Sequence, residues 1–139
     1  MFTHETRKRV RYGETDRMGL LYYGNYAQYY EIGRVEMIRS LGLTYKDIED
    51  KLGVLMPVVT LYSRFIKPAY YDEDLRIKTT ISEFPVRTIV FHTEILRANG
   101  ELINKGEVKL VFVTAENFKR VDTPVEIRNK LKPWFEKVD

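Results

Sequence analysis

Residues 25–41 constrain the fold of this chain more than any other stretch. Asn25 opens it with Gln28 three residues on, the spacing of a capping box in which each side chain bonds the other's backbone amide. Gly42 closes it as a C-terminal stop. Between them Tyr26, Tyr30, Gly33, Met37 and Leu41 recur at helical spacing, and Tyr29 and Ile32 widen the same face. An apolar face that broad needs a large apolar partner. Gly33 costs about 1 kcal/mol inside a helix relative to alanine, and close packing on that partner would account for it. Glu36 and Arg39 read as a surface i,i+3 pair, and Glu31 as structural.

The partner is a sheet. Residues 5–12 alternate as a strand, with Arg7, Arg9 and Arg11 on one face. Thr44 opens a short second helix that Gly53 ends. Strands then follow one another. Val54–Ile66 contains one with Val59, Leu61, Ser63 and Phe65 on a common face, and Leu75–Ile81 alternates cleanly. Thr88–Arg97 is next, with Ile89, Phe91, Thr93 and Ile95 together and His92 as a satisfied structural histidine. Asn99-Gly100 turns the chain into Leu102–Thr114, where Gly106 marks a bulge or a close approach. Thr123-Pro124-Val125-Glu126 reads as a second capping box, opening a helix that buries Ile127, Leu131 and Trp134. One antiparallel sheet covering one long helix is an α+β layer architecture, and 139 residues suit a single domain over 1–139.

Composition excludes several functions. There is no cysteine, so no disulfide, thiolate metal site or cysteine nucleophile is available. The two histidines, His4 and His92, are far apart, which argues against a histidine metal site. No apolar run reaches the roughly 18 residues of a membrane span, and Met1–Glu5 lacks the apolar centre of a signal peptide. A cytoplasmic location is expected. The net charge is a mild +3, from 23 basic and 20 acidic residues. The basic run at Arg7, Lys8, Arg9 and Arg11 reads as a solvated strand edge, and nucleic acid is not an expected partner.

Chemistry concentrates in Tyr12-Gly13-Glu14-Thr15-Asp16-Arg17-Met18-Gly19-Leu20-Leu21-Tyr22-Tyr23-Gly24-Asn25-Tyr26. In an arbitrary loop Thr15-Asp16 would be turn chemistry. Here the loop runs directly into a helix start, whose unpaired N–H groups and partial positive charge can polarise a carbonyl. An acid beside that helix end can attack the carbonyl or activate water against it. Asp16 is the first candidate and Glu14, nearer the strand end, the second. Tyr22 and Tyr23 precede the cap and are placed to line a pocket, whereas Tyr26 and Tyr30 read as packing.

The same residues resemble the signature of the hotdog-fold acyl-CoA thioesterases, in the 4-hydroxybenzoyl-CoA thioesterase and YbgC-like branch. Phe65-Ile66-Lys67-Pro68-Ala69 before Asp72-Glu73 resembles the second landmark of that family, and the element order matches from about residue 5 to 135. The resemblance implies a hotdog fold, a five-stranded antiparallel sheet wrapped around a long central helix. It implies sheets paired edge to edge in a homodimer, further association to a homotetramer, and an acyl site at the protomer interface. It assigns Asp16 as nucleophile or general base and the Tyr23 N–H as the group polarising the thioester carbonyl, with no metal and no cofactor beyond the CoA of the substrate. Many YbgC-like proteins carry His where this chain has Tyr23, so histidine assistance is absent. Substrate contacts implied around the pocket are Tyr22, Gly24 and Asn25, with Arg64, Lys67 and Arg87 toward CoA phosphates and Thr60 and Thr88 as hydrogen-bond donors.

Two alternatives share the fold. An acyl carrier protein in place of CoA would need a basic docking surface, which Arg7, Arg9 and Arg11 supply. A non-catalytic module binding acyl-CoA would not need the acid beside the helix cap. Dehydratases of this fold use histidine with an acid, and neither the loop nor the long helix contains one.

Overall fold

The computed structural model describes residues 1–136. The elements run β1 (Phe2–Arg9), α1 (Tyr26–Ser40), α2 (Tyr45–Leu52), β2 (Val54–Leu55), β3 (Val58–Phe65), β4 (Asp74–Ile81), β5 (Thr88–Leu96), β6 (Leu102–Thr114), β7 (Arg120–Val121) and α3 (Val125–Leu131). Five long strands form one antiparallel sheet in the order β1-β4-β5-β6-β3, with β2 and β7 pairing the far end of β6. The long helix lies across one face of this sheet, so the fold is the expected α+β hotdog.

Period-two alternation in β4 and β5 sends Leu75, Ile77, Ile81, Ile89, Phe91 and Ile95 to the helix side, where all are buried. Each such side chain contributes about 1.5–3 kcal/mol relative to exposure. Met37, Ile38, Tyr29 and Tyr30 meet them from α1. Both interior glycines mark close approach. A Cβ at Gly33 would collide with Thr79 Oγ1 and Ile77 Cγ2 on β4, and one at Gly106 with the ring of Tyr30. Asn99-Gly100 turns as expected, with Gly100 at φ +93°.

Several expectations are corrected. Asn25 does not cap α1 with its side chain. A 3-10 turn over Tyr23–Asn25 feeds directly into the helix, so helical winding begins two residues earlier, at Tyr23. The first strand ends at Arg9 because Tyr12–Glu14 is another 3-10 turn, closed by the Arg11 amide on the Glu14 carboxylate at 2.8 Å. Pro124 is the N-cap of α3 rather than its first residue, and the Thr123 hydroxyl bonds Val86 O at 2.8 Å, so no second capping box forms. Trp134 is 51% exposed, its ring tilted at 44° to Phe2 with centroids 5.0 Å apart. The buried face of α1 also takes in Arg34 and Ile38, while Ile32 is only half-buried. His92 stands on the outer face of the sheet, 3.7 Å from the Glu107 carboxylate, and is not enclosed.

The two sheet edges differ in chemistry. On β1, Arg7 pairs with Asp74 and Arg9 donates to Asp72 O at 2.6 Å. On β3, the apolar face is open: Val59, Leu61 and Phe65 are 48–53% exposed, because the strand has a neighbour on one side only. No helix among the described residues is long and apolar enough to cross a membrane.

Candidate active site

Residues 15–21 form a small hairpin pinned to the segment after β3. Asp16 N donates to Leu20 O at 2.8 Å, Gly19 N to Asp16 O at 3.0 Å, Leu21 N to Ala69 O at 2.8 Å and Tyr71 N to Gly19 O at 2.9 Å. Gly19 sits at φ +79°, a conformation that favours glycine. At the tip, Asp16 Oδ1 accepts from Met18 N at 2.8 Å and Leu20 N at 3.2 Å. The turn reading of this aspartate is therefore correct as far as it goes. Both bonds use one oxygen, and Oδ2 has no partner among the described residues. The carboxylate is held in orientation and keeps an acceptor for something else.

Asp16 borders a cleft of about 330 Å³ lined also by Met18, Leu20, Leu21, Tyr23, Tyr26, Phe65, Ile66, Lys67 and Pro68. Its wall is aromatic. Tyr26 packs edge-on against Phe65 at 5.1 Å, and Tyr23 meets the same ring at 6.4 Å. Burial, then the neighbouring Tyr30, push the Tyr26 hydroxyl up to about 12, so it stays neutral. The helix end forms another wall. In the 3-10 turn the first bonded amide is that of Asn25, on Tyr22 O at 2.9 Å. The amides of Tyr23 and Gly24 precede it and are the orphan donors of the helix N-terminus. The absence of a Cβ at Gly24 lets the Tyr22 ring fold over this turn.

Glu14 has a different role. Its Oε1 accepts from Lys8 Nζ at 3.0 Å, Arg11 N at 2.8 Å and Tyr29 Oη at 2.8 Å. Burial pushes its carboxyl up, but the Arg11 amide, Lys8 and Tyr29 together outweigh that and hold it below the ordinary glutamate value. Tyr29 moves the other way: burial first, then the hydrogen bond to Glu14, raise its hydroxyl far above the usual phenol range. The Glu14 carbonyl also accepts from Tyr22 N at 2.9 Å and Asn25 Nδ2 at 2.8 Å. Glu14 and Asn25 thus join β1, the loop and α1, and neither lines the cleft.

The other expected contacts divide by position. Lys67 lines the cleft, but its Nζ is bonded to Glu101 at 2.6 Å. Lys67, and then Arg97, lower the Glu101 carboxyl. Arg97 continues the chain to Glu73 and to Pro68 O at 2.8 Å, clamping the rim. The sequence reading missed Arg97, Glu73 and Glu101, although the Asn99-Gly100 turn sets Arg97 and Glu101 opposite each other. Tyr22 leans on Tyr23 with ring centroids 4.7 Å apart and does not line the cleft. Ser63 faces α1, bonding Tyr30 Oη at 2.6 Å, so Arg64 beside it faces the outer side of the sheet. Thr60, Thr88 and Arg87 lie at the opposite end of the sheet, with Thr60 roughly 16 Å along β3 from Phe65. Arg87 is paired with Asp122 at 2.9 Å. Within one chain these three do not reach Asp16.

An acid with a free oxygen, orphan amides at the end of a fifteen-residue helix, and an apolar cleft between them suit addition to a carbonyl that carries an apolar group. Comparison with known proteins agrees. The family model of the thioesterase-like superfamily matches residues 10–135. YneP of Bacillus subtilis is 37% identical over 90% of this chain and 87% of its own length. YbgC of Haemophilus influenzae, an acyl-CoA thioesterase, is 30% identical over 86% of this chain and 88% of its own. The crystal structure of DHNA-CoA thioesterase from Staphylococcus aureus superposes with a TM-score of 0.88 at 30% identity, covering 99% of this chain and 98% of that one. The chain belongs to the thioesterase-like superfamily. It is an enzyme of the thioester hydrolase class on a hotdog fold.

Proposed function

We propose that this protein, a single hotdog domain over residues 1–139, hydrolyses an acyl-CoA thioester to a free carboxylic acid and CoA, with Asp16 as the reacting acid and the Tyr23 N–H as carbonyl activator. The observation that carries the reading is Asp16, held through one oxygen with Oδ2 unshared, lining an apolar cleft whose other wall is the start of α1. Two routes balance. As general base, Asp16 takes a proton from water while the hydroxyl adds to the carbonyl carbon. As nucleophile, Asp16 Oδ2 adds directly and the C–S bond breaks to give an acyl-enzyme anhydride, which water then opens. In both, the Tyr23 amide, backed by the helix dipole, holds the oxyanion, and the sulfur leaves as thiolate and takes up a proton.

CoA suits the site better than an acyl carrier protein. Two of the three arginines that would form a carrier-docking face, Arg7 and Arg9, are tied to Asp74 and Asp72. The homodimer and homotetramer belong to this proposal, as does a cytoplasmic location. An edge-to-edge dimer through β3 would bring Thr60, Arg87 and Thr88 from the far end of one sheet toward the Asp16 cleft of the next, which one chain alone does not achieve. A panel of acyl-CoAs of graded chain length, with aromatic acyl groups included and thiol release as the readout, tests the reading. Turnover that disappears in Asp16→Asn supports it. Wild-type turnover in that variant, or none by the wild-type protein across the panel, overturns it.

A further inference from the structure

Arg97 uses every nitrogen of its guanidinium at one place. Nε donates to Glu101 Oε1 at 2.7 Å, Nη1 holds both oxygens of the Glu73 carboxylate, and Nη2 donates to Pro68 O at 2.8 Å. Its Cζ lies over the ring of Tyr70, 5.5 Å from the centroid. The side chain is only 17% exposed, and Glu101 in turn takes Lys67 Nζ. Two bases and two acids balance, so the cluster has no spare charge for a ligand. A flat, forked cation can address several acceptors at once, which the point charge of a lysine cannot.

Pro68 and Glu73 bracket one short segment between β3 and β4 that lies outside both strands. Glu73 closes a turn within it, since Tyr70 N donates to Glu73 Oε1 at 3.0 Å and Glu73 N to Tyr70 O at 3.1 Å. The start of this segment, with the end of β3, forms one wall of the cleft through Phe65, Ile66, Lys67 and Pro68. Its middle is the strip on which the Asp16 hairpin lies: Ala69 O accepts from Leu21 N and Tyr71 N donates to Gly19 O. That hairpin supplies the facing wall, with Asp16, Met18, Leu20 and Leu21. Both walls therefore refer to the same segment, and one side chain grips that segment at both ends. The grip is anchored in the sheet. Arg97 N donates to Glu101 O and Gly100 N to Arg97 O, both at 2.9 Å, closing the turn between the interior strands β5 and β6.

We propose that Arg97 is a positioning residue that sets the width of the acyl cleft and, through the hairpin, the aim of Asp16. It acts on the substrate only through the walls it holds. This rests on the acyl-CoA reading above and adds to it what limits the size of the acyl group. Without the guanidinium, the backbone bonds between segment and hairpin remain, so the fold holds while the spacing of the two walls loosens. A small acyl group then loses its fit, and a bulkier one gains room.

The test reads acyl selectivity, as the ratio of kcat/KM for a bulkier group to that for a smaller one: octanoyl- over butyryl-CoA, and 2-naphthoyl- over benzoyl-CoA. A ratio within one preparation does not depend on the fraction folded, so a loss of stability alone leaves it unchanged. Arg97→Ala should raise the ratio about tenfold, the scale on which a pocket discriminates by size. Its kcat on the best wild-type substrate should fall about tenfold or more as Asp16 loses its aim. Arg97→Lys keeps the charge but cannot hold Pro68 O and Glu73 together, and should show most of the same shift. Glu73→Ala should move the ratio in the same direction, and the double variant no further than either single one, because both changes release one anchor. Wild-type ratios in either Arg97 variant, or shifts that add in the double variant, overturn the inference. If Arg97→Ala does not accumulate, the Arg97→Lys ratio decides. Where Asp16→Asn abolishes turnover but the Arg97 variants keep the wild-type ratio, the thioesterase reading stands and this inference alone falls. A wild-type protein without turnover on any acyl-CoA of the panel overturns both.

Discussion

Glu14 and Asp16 stand two residues apart in one loop and are treated in opposite ways. The Glu14 end is braced from three sides, with one carboxylate oxygen taking Lys8, Arg11 and Tyr29 and the carbonyl taking Tyr22 and Asn25. The Asp16 carboxylate is held only by its own hairpin, through one oxygen, and the residue lines the cleft. Each acid is fixed through a single oxygen, so a spare lone pair is not what separates them. Glu14 is gripped by three donors, two of them from side chains of β1 and α1, and lies away from the cleft, so it stabilises structure. Asp16 is oriented by two backbone amides of its own hairpin and lines the cleft. Residue type does not distinguish the two acids. Their surroundings do.

The largest effect that would sharpen this contrast is on turnover. Asp16→Asn should lower kcat by about 10²–10³-fold, roughly 3–4 kcal/mol of barrier. The Asn carbonyl still accepts from Met18 and Leu20, so Tm should hold nearly constant in differential scanning calorimetry. Glu14→Ala should reverse the pattern. It leaves Lys8, the Arg11 amide and the Tyr29 hydroxyl without their acceptor, at a cost of about 2–3 kcal/mol in urea unfolding, and any loss of activity should track the folded fraction. The same comparison has a pH signature. The folded-state carboxyl of Glu14 is lower than in the unfolded chain. Its stabilisation is thus present above the unfolded value, about 4.3, and is lost as pH falls through the folded one. The gap in Tm between wild type and Glu14→Ala should narrow below about pH 4, and a gap that widens in acid would contradict the assignment. The smallest effect is Tyr29→Phe, at about 0.5–1.5 kcal/mol, because Glu14 keeps two of its three donors.

Much of the fold was legible because periodicity survives packing. The clean alternation in Leu75–Ile81 and Thr88–Arg97, the Asn99-Gly100 turn and the two glycines that meet tyrosine, threonine and isoleucine all read directly from spacing. Failures fell where a side chain had two uses. Asn25 looked like a cap, but its amide serves Glu14 eleven residues back. Thr123 looked like a cap, but its hydroxyl serves Val86. Spacing along the chain cannot disclose such distant partners. The place of Asp16 beside the helix start was legible because an acid just before a helix start is itself a local signal. The Lys67–Glu101–Arg97–Glu73 clamp was not, since its members come from separate segments. Alternation in β3 marked an apolar face correctly but could not say that this face lies at a sheet edge and stays open.

Tyr30 packs against the bare backbone of Gly106 and ends in hydrogen bonds to Ser63 and Asn104. In mechanical terms it is a key seated in a slot, and Gly33 against β4 is a second slot on the same shaft. Together they fix the roll of α1. A roll of about 15° would sweep a group at the helix radius of about 2.3 Å through about 0.6 Å. Reacting groups tolerate misplacement of only about 0.5 Å. The aim of the Tyr23 amide in the proposed reaction is therefore decided two turns further along the helix, by a ring and a missing methyl group that lie outside the cleft.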